Sequence, residues 1–281
     1  MSTILDTIAA YAKVRVAQDK EATPLEQIKE TAFRKAGISE EMMRKGAVET
    51  FKKDPFSEDN LFYRNIKKPG IRFICEIKKA SPSKGIIAEE FPYVEIAKEY
   101  EAAGADCISC LTEPKWFLGS DQIFTEIRKS VKTPMIRKDF VVDEYQIYQA
   151  KVMGSNAILL ICAILDKDTI AKYLDICHSL GMVAIVETHD DKEIREAVEA
   201  GAKIIGVNNR NLKDFTVDID NSQKLRSLVP EDTLFVAESG IKTPEDIKSL
   251  KKAKVDAVLI GETLMRAKDK TLMLKKLRGE D

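Results

Sequence analysis

Arg72-Phe73-Ile74-Cys75-Glu76-Ile77-Lys78-Lys79-Ala80-Ser81-Pro82-Ser83-Lys84-Gly85 is the stretch on which the fold of this chain turns. Its first half is a short β-rich run. Side chains of a strand alternate between faces, so Ile74, Glu76 and Lys78 share one face and Cys75, Ile77 and Lys79 the other. If the face with Ile74 is interior, a carboxylate and an ammonium both lose water there. An isolated buried charge costs on the order of several kcal/mol, so these two must pair or serve a ligand. Ser-Pro-Ser-Lys-Gly cannot continue a central strand, because proline donates no ladder hydrogen bond and glycine and serine favour turns. The charges therefore fall at the C-terminal end of the strand, beside a mobile polar loop.

Downstream the same kind of run recurs at Cys107–Leu111, Met135–Phe140, Ala157–Ile164, Val183–Glu187, Ile204–Asn208, Leu234–Glu238 and Ala257–Gly261. Amphipathic stretches lie between them, among them Tyr93–Ala103, Asp143–Met153, Asp166–Leu180, Lys192–Ala200, Ser222–Leu228 and Pro244–Lys252. Ala103-Gly104-Ala105, Met153-Gly154-Ser155 and Ala200-Gly201-Ala202 form a weak repeat in which glycine ends a helix just before a strand. Near-continuous apolar strands joined by helices imply a parallel sheet covered on both sides. Eight such units over residues 71–281 predict an α/β fold, a (β/α)8 TIM barrel. An open doubly wound sheet is the alternative, but no G-x-G-x-x-G opens a helix after the first strand. Residues 1–67 read as an N-terminal helical extension of the same single domain. Ser2 or Thr3 caps its first helix, Thr23-Pro24-Leu25-Glu26 starts a second with proline at the first helical position, and a loop surrounds Asp54-Pro55-Phe56. Its apolar stripes are expected to pack on the main body, with covering of a ligand as the second reading.

The 45 basic and 46 acidic residues nearly cancel, which argues against a general nucleic-acid or membrane surface. No stretch approaches the roughly 20 apolar residues of a membrane span, and no apolar leader opens the chain, so a cytoplasmic protein is expected. Cys107 and Cys110 form a lone C-x-x-C whose members point to opposite faces of a strand, and the two histidines make no cluster. Buried reduced thiols and no metal are the expectation.

Polar residues interrupt the apolar runs at their C-terminal ends: Glu76 and Lys78, Lys138, Glu187, Asn208 and Arg210, then Glu238 and Ser239. Alternation puts Lys138 with Ile136, Glu187 with Ile185, and Asn208 and Arg210 with Gly206. A closed barrel aims all of these at one mouth. Arg137, Asp139 and Lys79 fall on the opposite faces and are expected in structural pairs. Glu238-Ser239-Gly240-Ile241 and Ile260-Gly261-Glu262-Thr263 each place a glycine after a strand and before a candidate helix N-terminus, where backbone N–H groups and the helix dipole suit an anion.

Glu76-Ile77-Lys78-Lys79-Ala80-Ser81-Pro82-Ser83-Lys84-Gly85, Leu111-Thr112-Glu113, Phe117-Leu118-Gly119-Ser120, Arg137-Lys138-Asp139-Phe140, Asp143-Glu144-Tyr145-Gln146-Ile147, Asn208-Asn209-Arg210-Asn211-Leu212 and Ala237-Glu238-Ser239-Gly240-Ile241 together resemble the indole-3-glycerol-phosphate synthase family of tryptophan biosynthesis. The resemblance spans nearly the whole chain. It implies a carboxy-lyase that closes 1-(2-carboxyphenylamino)-1-deoxyribulose 5-phosphate to indole-3-glycerol phosphate with loss of carbon dioxide and water, with no organic cofactor and no metal. It further implies a monomer whose partner is a small phosphorylated substrate.

By the same resemblance Lys138 is the general acid, and neighbouring Lys78 or Arg210 is expected to lower its pKa. Glu187 is the base, with Glu76 and Lys78 assisting proton transfer and holding the substrate's carboxylate and phosphate. Asn208 and Arg210 contact the carboxylate side, and Glu238 orients the ribulose hydroxyls or Lys138. Ser239, Gly240, Gly261 and Glu262 serve the phosphate, the last with its side chain turned away, and Ser81 is a further substrate contact. Leu111, Phe117, Phe140 and Leu159 form the slot for the anthranilate ring. The chain departs from the family pattern at Ala12-Lys13-Val14-Arg15-Val16-Ala17, which lacks the usual lysine-glutamate run. Thr188-His189 follows Glu187 where the family varies, and His189 is assigned no role. Two other readings compete: an isomerase acting on an aminoaldose phosphate, which wants a carboxylate pair rather than lysines, and a barrel that binds such a metabolite without turnover.

Overall fold

The alternation read in the opening stretch holds through β1 (Arg72–Ile77): Ile74 packs inside the sheet, while Phe73, Cys75 and Ile77 pack against the surrounding helices. The computed structural model describes residues 3–39, 41–42, 55–57, 59–211 and 214–280. Ser2, Asp54 and Leu212, each used in the sequence argument, lie outside them.

After β1 the polar turn is not an unpaired loop. It is a short antiparallel hairpin, with β2 (Ala80–Ser81) against β3 (Gly85–Ile86) and Gly85 in the left-handed region at φ 62°. Then follow β4 (Cys107–Leu111), β5 (Met135–Lys138), β6 (Ala157–Ile161), β7 (Val183–Thr188), β8 (Ile204–Asn208), β9 (Leu234–Glu238) and β10 (Ala257–Ile260). These seven and β1 form a closed parallel barrel, β10 returning to pair with β1.

Three strands stop earlier than the apolar pattern suggested. At the end of β5 the Asp139 carboxylate accepts the Phe140 N–H, and after β6 the N–H groups of Ile164 and Leu165 both turn back to the Ile161 carbonyl. Local acceptors thus end the strands before the apolar residues run out. Beyond β10 a helix starts directly at Glu262.

Side chains inside the barrel stack in layers. Ile74 stands level with Leu259 and Cys107, Ile136 with Ala157, and Ala157 with Val183. One layer toward the C-terminal ends, Glu76 is level with Ser109, Glu187 with Gly206, and Asn208 with Glu238. The interior therefore changes from apolar to charged along the barrel axis. Cys107 points inward and Cys110 outward, both as free buried thiols. Gly104, Gly154 and Gly201 take the left-handed conformation expected of helix ends, with φ between 76° and 88°.

The N-terminal segment closes both ends. α1 (Ile4–Ala22) starts with a capping box between Thr3 and Asp6 and buries Leu5, Ile8 and Ala12 over the C-terminal mouth. Arg15 fixes it there by two hydrogen bonds to the buried Asp139, of 2.7 and 3.2 Å. α2 (Leu25–Ala36) packs outside against the helix Tyr145–Met153. Its cap differs from expectation: Pro24 occupies the N-cap itself, and Thr23 ends α1 by donating its N–H to the Asp19 carbonyl. At the opposite end the helix Leu61–Ile66 plugs the barrel with Phe62 and Ile66. Asn60 caps it and ties it to the carbonyls of Asn156 and Gly181. No helix among the described residues is long and apolar enough to cross a membrane.

Because Phe62 is fully buried against the lowest barrel layer, Phe62→Ala is expected to cost about 3–5 kcal/mol in equilibrium urea unfolding. A loss below about 1 kcal/mol in that measurement would show that the helix does not support the barrel floor.

Candidate active site

The site begins with an ammonium that has nowhere to go but between two carboxylates. Lys138 ends β5 facing inward, with Nζ 2.9 Å from Glu238 Oε2 and 3.3 Å from Glu187 Oε2. Asn208 Nδ2 lies 3.3 Å from the other oxygen of Glu187. On β1, Lys78 donates to Glu76 Oε1. Strand ends that are far apart in sequence are thus tied across the mouth by charge.

Burial alone pulls the Lys138 ammonium toward neutrality, but Glu238, Glu187 and Glu76 outweigh it and hold its pKa above the ordinary lysine value. This reverses the expectation of a lowered pKa. Lys78 is engaged by Glu76, and the groups in direct contact with Lys138 are anions. Burial pushes Glu238 up to about 7 against the pull of Lys138, whereas Glu187 stays below its usual value because Lys138, His189 and Asn208 together overcome burial. The difference has a geometric source. Glu238 Oε1 is buried without a hydrogen-bond partner among the described residues, while both oxygens of Glu187 have neighbours.

Room for these carboxylates comes from two missing side chains. A Cβ on Gly206 would stand 2.5 Å from Glu238 Oε1 and 2.8 Å from Ile185, and one on Gly261 would stand 2.2 Å from Glu76 Oε1. The absence of a side chain at Gly261 thus leaves room for Glu76, while Gly261 itself lines the cavity.

A cavity of about 600 Å³ opens over this charged layer, and all sixteen site residues expected from the sequence line it. Leu111, Phe117, Phe140 and Leu159 form one apolar side, the two rings standing 6.1 Å apart. Ser81, Ser239, Gly240, Gly261 and Glu262 form the opposite rim. There the helix after β9 starts at Pro244; the Asp246 carboxylate accepts the N–H groups of Lys242 and Thr243, and the Asp246 N–H donates to the Thr243 hydroxyl. The bounds of this helix are those read from the sequence, Pro244–Lys252. The Glu262 carboxylate is held by Arg266 at 3.1 Å and Lys84 at 3.9 Å. Arg210 lies past the end of β8 and reaches the Phe215 carbonyl at 3.4 Å.

The outward residues behave as their alternation requires. Arg137 bonds Thr112, Gln146, Asp121 and Asp139 in a buried network, although Lys79 has no ion pair among the described residues. Sequence reasoning missed the residues that hold the site from behind. The buried Glu113 accepts the N–H groups of Lys115, Trp116 and Phe117, shaping the loop that presents Phe117. Gln146 donates to the Phe140 carbonyl, and Asn209 links Ser239 to Ser222. Each sits inside a quoted motif, so the signal was a polar residue with no substrate role to give it. Ile4, Leu5 and Ile8 of α1 also line the cavity, the covering position that had been the second reading of that helix.

The sequence profile of the family described as "Indole-3-glycerol phosphate synthase" matches residues 5–277. The chain is 51% identical over 276 residues to "Indole-3-glycerol phosphate synthase" of Ruminiclostridium cellulolyticum, covering 98% of this chain and 99% of that one. It is 49% identical over 277 residues to the protein of the same name from Lachnoclostridium phytofermentans, with the same coverage. Among solved structures it resembles 3-hexulose-6-phosphate synthase, with a TM-score of 0.59 at 17% identity over 75% of this chain and 99% of that chain. It also resembles thiamine phosphate pyrophosphorylase from Pyrococcus furiosus, with a TM-score of 0.56 at 17% identity over 74% and 94%. These two likenesses concern the barrel fold alone.

Gly206→Ala is expected to push the Glu238 carboxylate away from Lys138, lowering stability by about 1–3 kcal/mol in urea unfolding and turnover by roughly tenfold or more. Wild-type turnover in a folded Gly206→Ala protein would mean that the close fit of Glu238 does not matter to the chemistry.

Proposed function

The chain belongs to the indole-3-glycerol phosphate synthase family, and from that premise we propose how its side chains divide the work. It is a carboxy-lyase of tryptophan biosynthesis that turns 1-(2-carboxyphenylamino)-1-deoxyribulose 5-phosphate into indole-3-glycerol phosphate, carbon dioxide and water. In that reaction the ring carbon bearing the carboxylate attacks the ribulose ketone. Carbon dioxide leaves and restores the aromatic ring, and loss of water then creates the indole double bond.

Lys138 is the acid in this reading. Its raised pKa keeps it protonated at neutral pH, and the alkoxide that develops as the carbon–carbon bond forms is a far stronger base than either carboxylate now holding the ammonium. The proton is retained until the transition state calls for it. A second proton delivered to the same oxygen releases it as water, and Lys78, held at the cavity by Glu76, is a further ammonium on the lining that supplies it. Glu187 takes the proton lost during dehydration. Its depressed pKa keeps it ionised and ready to accept.

The observation that carries the assignment is the single ammonium set between Glu187 and Glu238 beneath the aromatic pair. The substrate's ring packs against the apolar side made by Phe117, Phe140, Leu111 and Leu159. Its carboxylate faces Asn208 and Arg210, and its phosphate faces the rim of Ser81, Ser239, Gly240, Gly261 and Glu262, where Lys84 and Arg266 offset the Glu262 charge. Glu238 holds Lys138 and meets the ribulose hydroxyls. A monomer acting on a small phosphorylated substrate is the reading we carry forward, and the net charge of −1 gives nucleic acid no general surface. The cytoplasm is the compartment this small-molecule chemistry suits.

Followed by the fluorescence of the indole product, Lys138→Ala is expected to lower kcat by about 10²–10⁴, and Glu187→Gln by about 10² or more. Normal turnover in either folded variant would remove that residue from its role.

A further inference from the structure

His189 does not line the cavity, yet it is a firmly held titratable side chain beside Glu187, which does. Its backbone N–H donates to Glu193 Oε2 at 2.8 Å, its Nδ1 lies 3.0 Å from the same oxygen, and its carbonyl accepts from Asn221 Nδ2 at 3.2 Å. Glu193 is itself fixed, its N–H bonded to Asp190, the N-cap of the helix Asp191–Glu199, and its carbonyl facing the Cys162 thiol. A carboxylate can only accept, so Nδ1 carries a hydrogen. That leaves Nε2 directed at Glu187 Oε1, 3.5 Å away and buried without a hydrogen-bond partner among the described residues.

We propose that His189, clamped by Glu193, is a positioning residue for Glu187: as an imidazolium it holds Oε1 together with Asn208, so that Oε2 alone faces Lys138 and the reacting atoms. This rests on the assignment of Glu187 as the base. In the neutral form a nitrogen lone pair would face a carboxylate oxygen, an unfavourable contact that protonation turns into attraction. The groups facing the imidazole are Glu193 from its own helix, Glu187 from β7 and Glu238 from β9. Although burial disfavours the cation, these three carboxylates raise its pKa above the usual histidine value. The His189 charge in turn favours the ionised form of Glu187.

The sign of the effect on the reaction follows. Activity falls at acid pH as the linked carboxylates Glu187 and Glu238 take up protons, and a neighbouring cation keeps that fall at lower pH. Removing the cation moves it upward. His189→Gln is therefore expected to shift the acid limb of kcat/KM up by about half to one pH unit and to lower kcat at neutral pH about fivefold to tenfold, with KM within about twofold. Glu193→Gln leaves the imidazole in place and should shift the limb the same way by less. His189→Gln added to Glu187→Gln should cost nothing further, because the imidazole acts only through that carboxylate. An unmoved limb in both single variants, or a loss additive with Glu187→Gln, would overturn the proposal while leaving Glu187 as the base. Full turnover in Glu187→Gln alone would instead overturn the base assignment.

Discussion

One ammonium held between two carboxylates at the top of a closed barrel is the interaction on which the site depends. Lys138, Glu187 and Glu238 come from β5, β7 and β9, and in an open sheet their tips would lie far apart on one surface. Closure brings alternate strands to a common axis and removes the water that would otherwise screen them. Once closure has removed that water, each charge must find a partner, and the barrel axis supplies it. Fold and site are therefore a single constraint seen at two scales.

Much of this was legible because alternation in a strand is unforgiving. Placing Ile74 inside forces Glu76 inside, and the same step carries Lys138 with Ile136 and Glu187 with Ile185. Gly104, Gly154 and Gly201 marked the repeat because few other residues end a helix in the left-handed conformation. Where strands end was less legible. The apolar run at Ala157–Ile164 gives no hint that two N–H groups will fold back onto the Ile161 carbonyl.

The direction of the Lys138 shift was misread for a related reason. Sequence places Lys78, Arg210 and Lys138 at one mouth but says nothing of which partner each will touch. Glu76 takes Lys78, the Phe215 carbonyl takes Arg210, and the two carboxylates opposite are left for Lys138. Likewise nothing in the neighbours of Gly261 tells that Glu76 occupies the space a Cβ there would need, which only the packing reveals. Pair identity is a three-dimensional property even where facing is a one-dimensional one.

Arg137-Lys138-Asp139 shows how the site can be both charged and stable. Arg137 points away from the cavity and Asp139 sits at its edge, and both join a largely buried network in which Arg137 meets Thr112, Gln146 and Asp121, and Asp139 meets Arg15, Thr112 and the Phe140 N–H. That network fixes the backbone of β5 from behind and docks α1 over the mouth at the same time. Burial would raise the Asp139 pKa, but Arg137 and Arg15 hold it below its usual value, so this anchorage persists above the ordinary carboxylate range and weakens only as pH falls through the depressed pKa. The position of Lys138 is then set by the strand and not by the carboxylates it touches. On the proposed roles, a substrate that draws the ammonium away from Glu187 and Glu238 leaves β5 in place, because the ties that hold the strand run through Arg137 and Asp139.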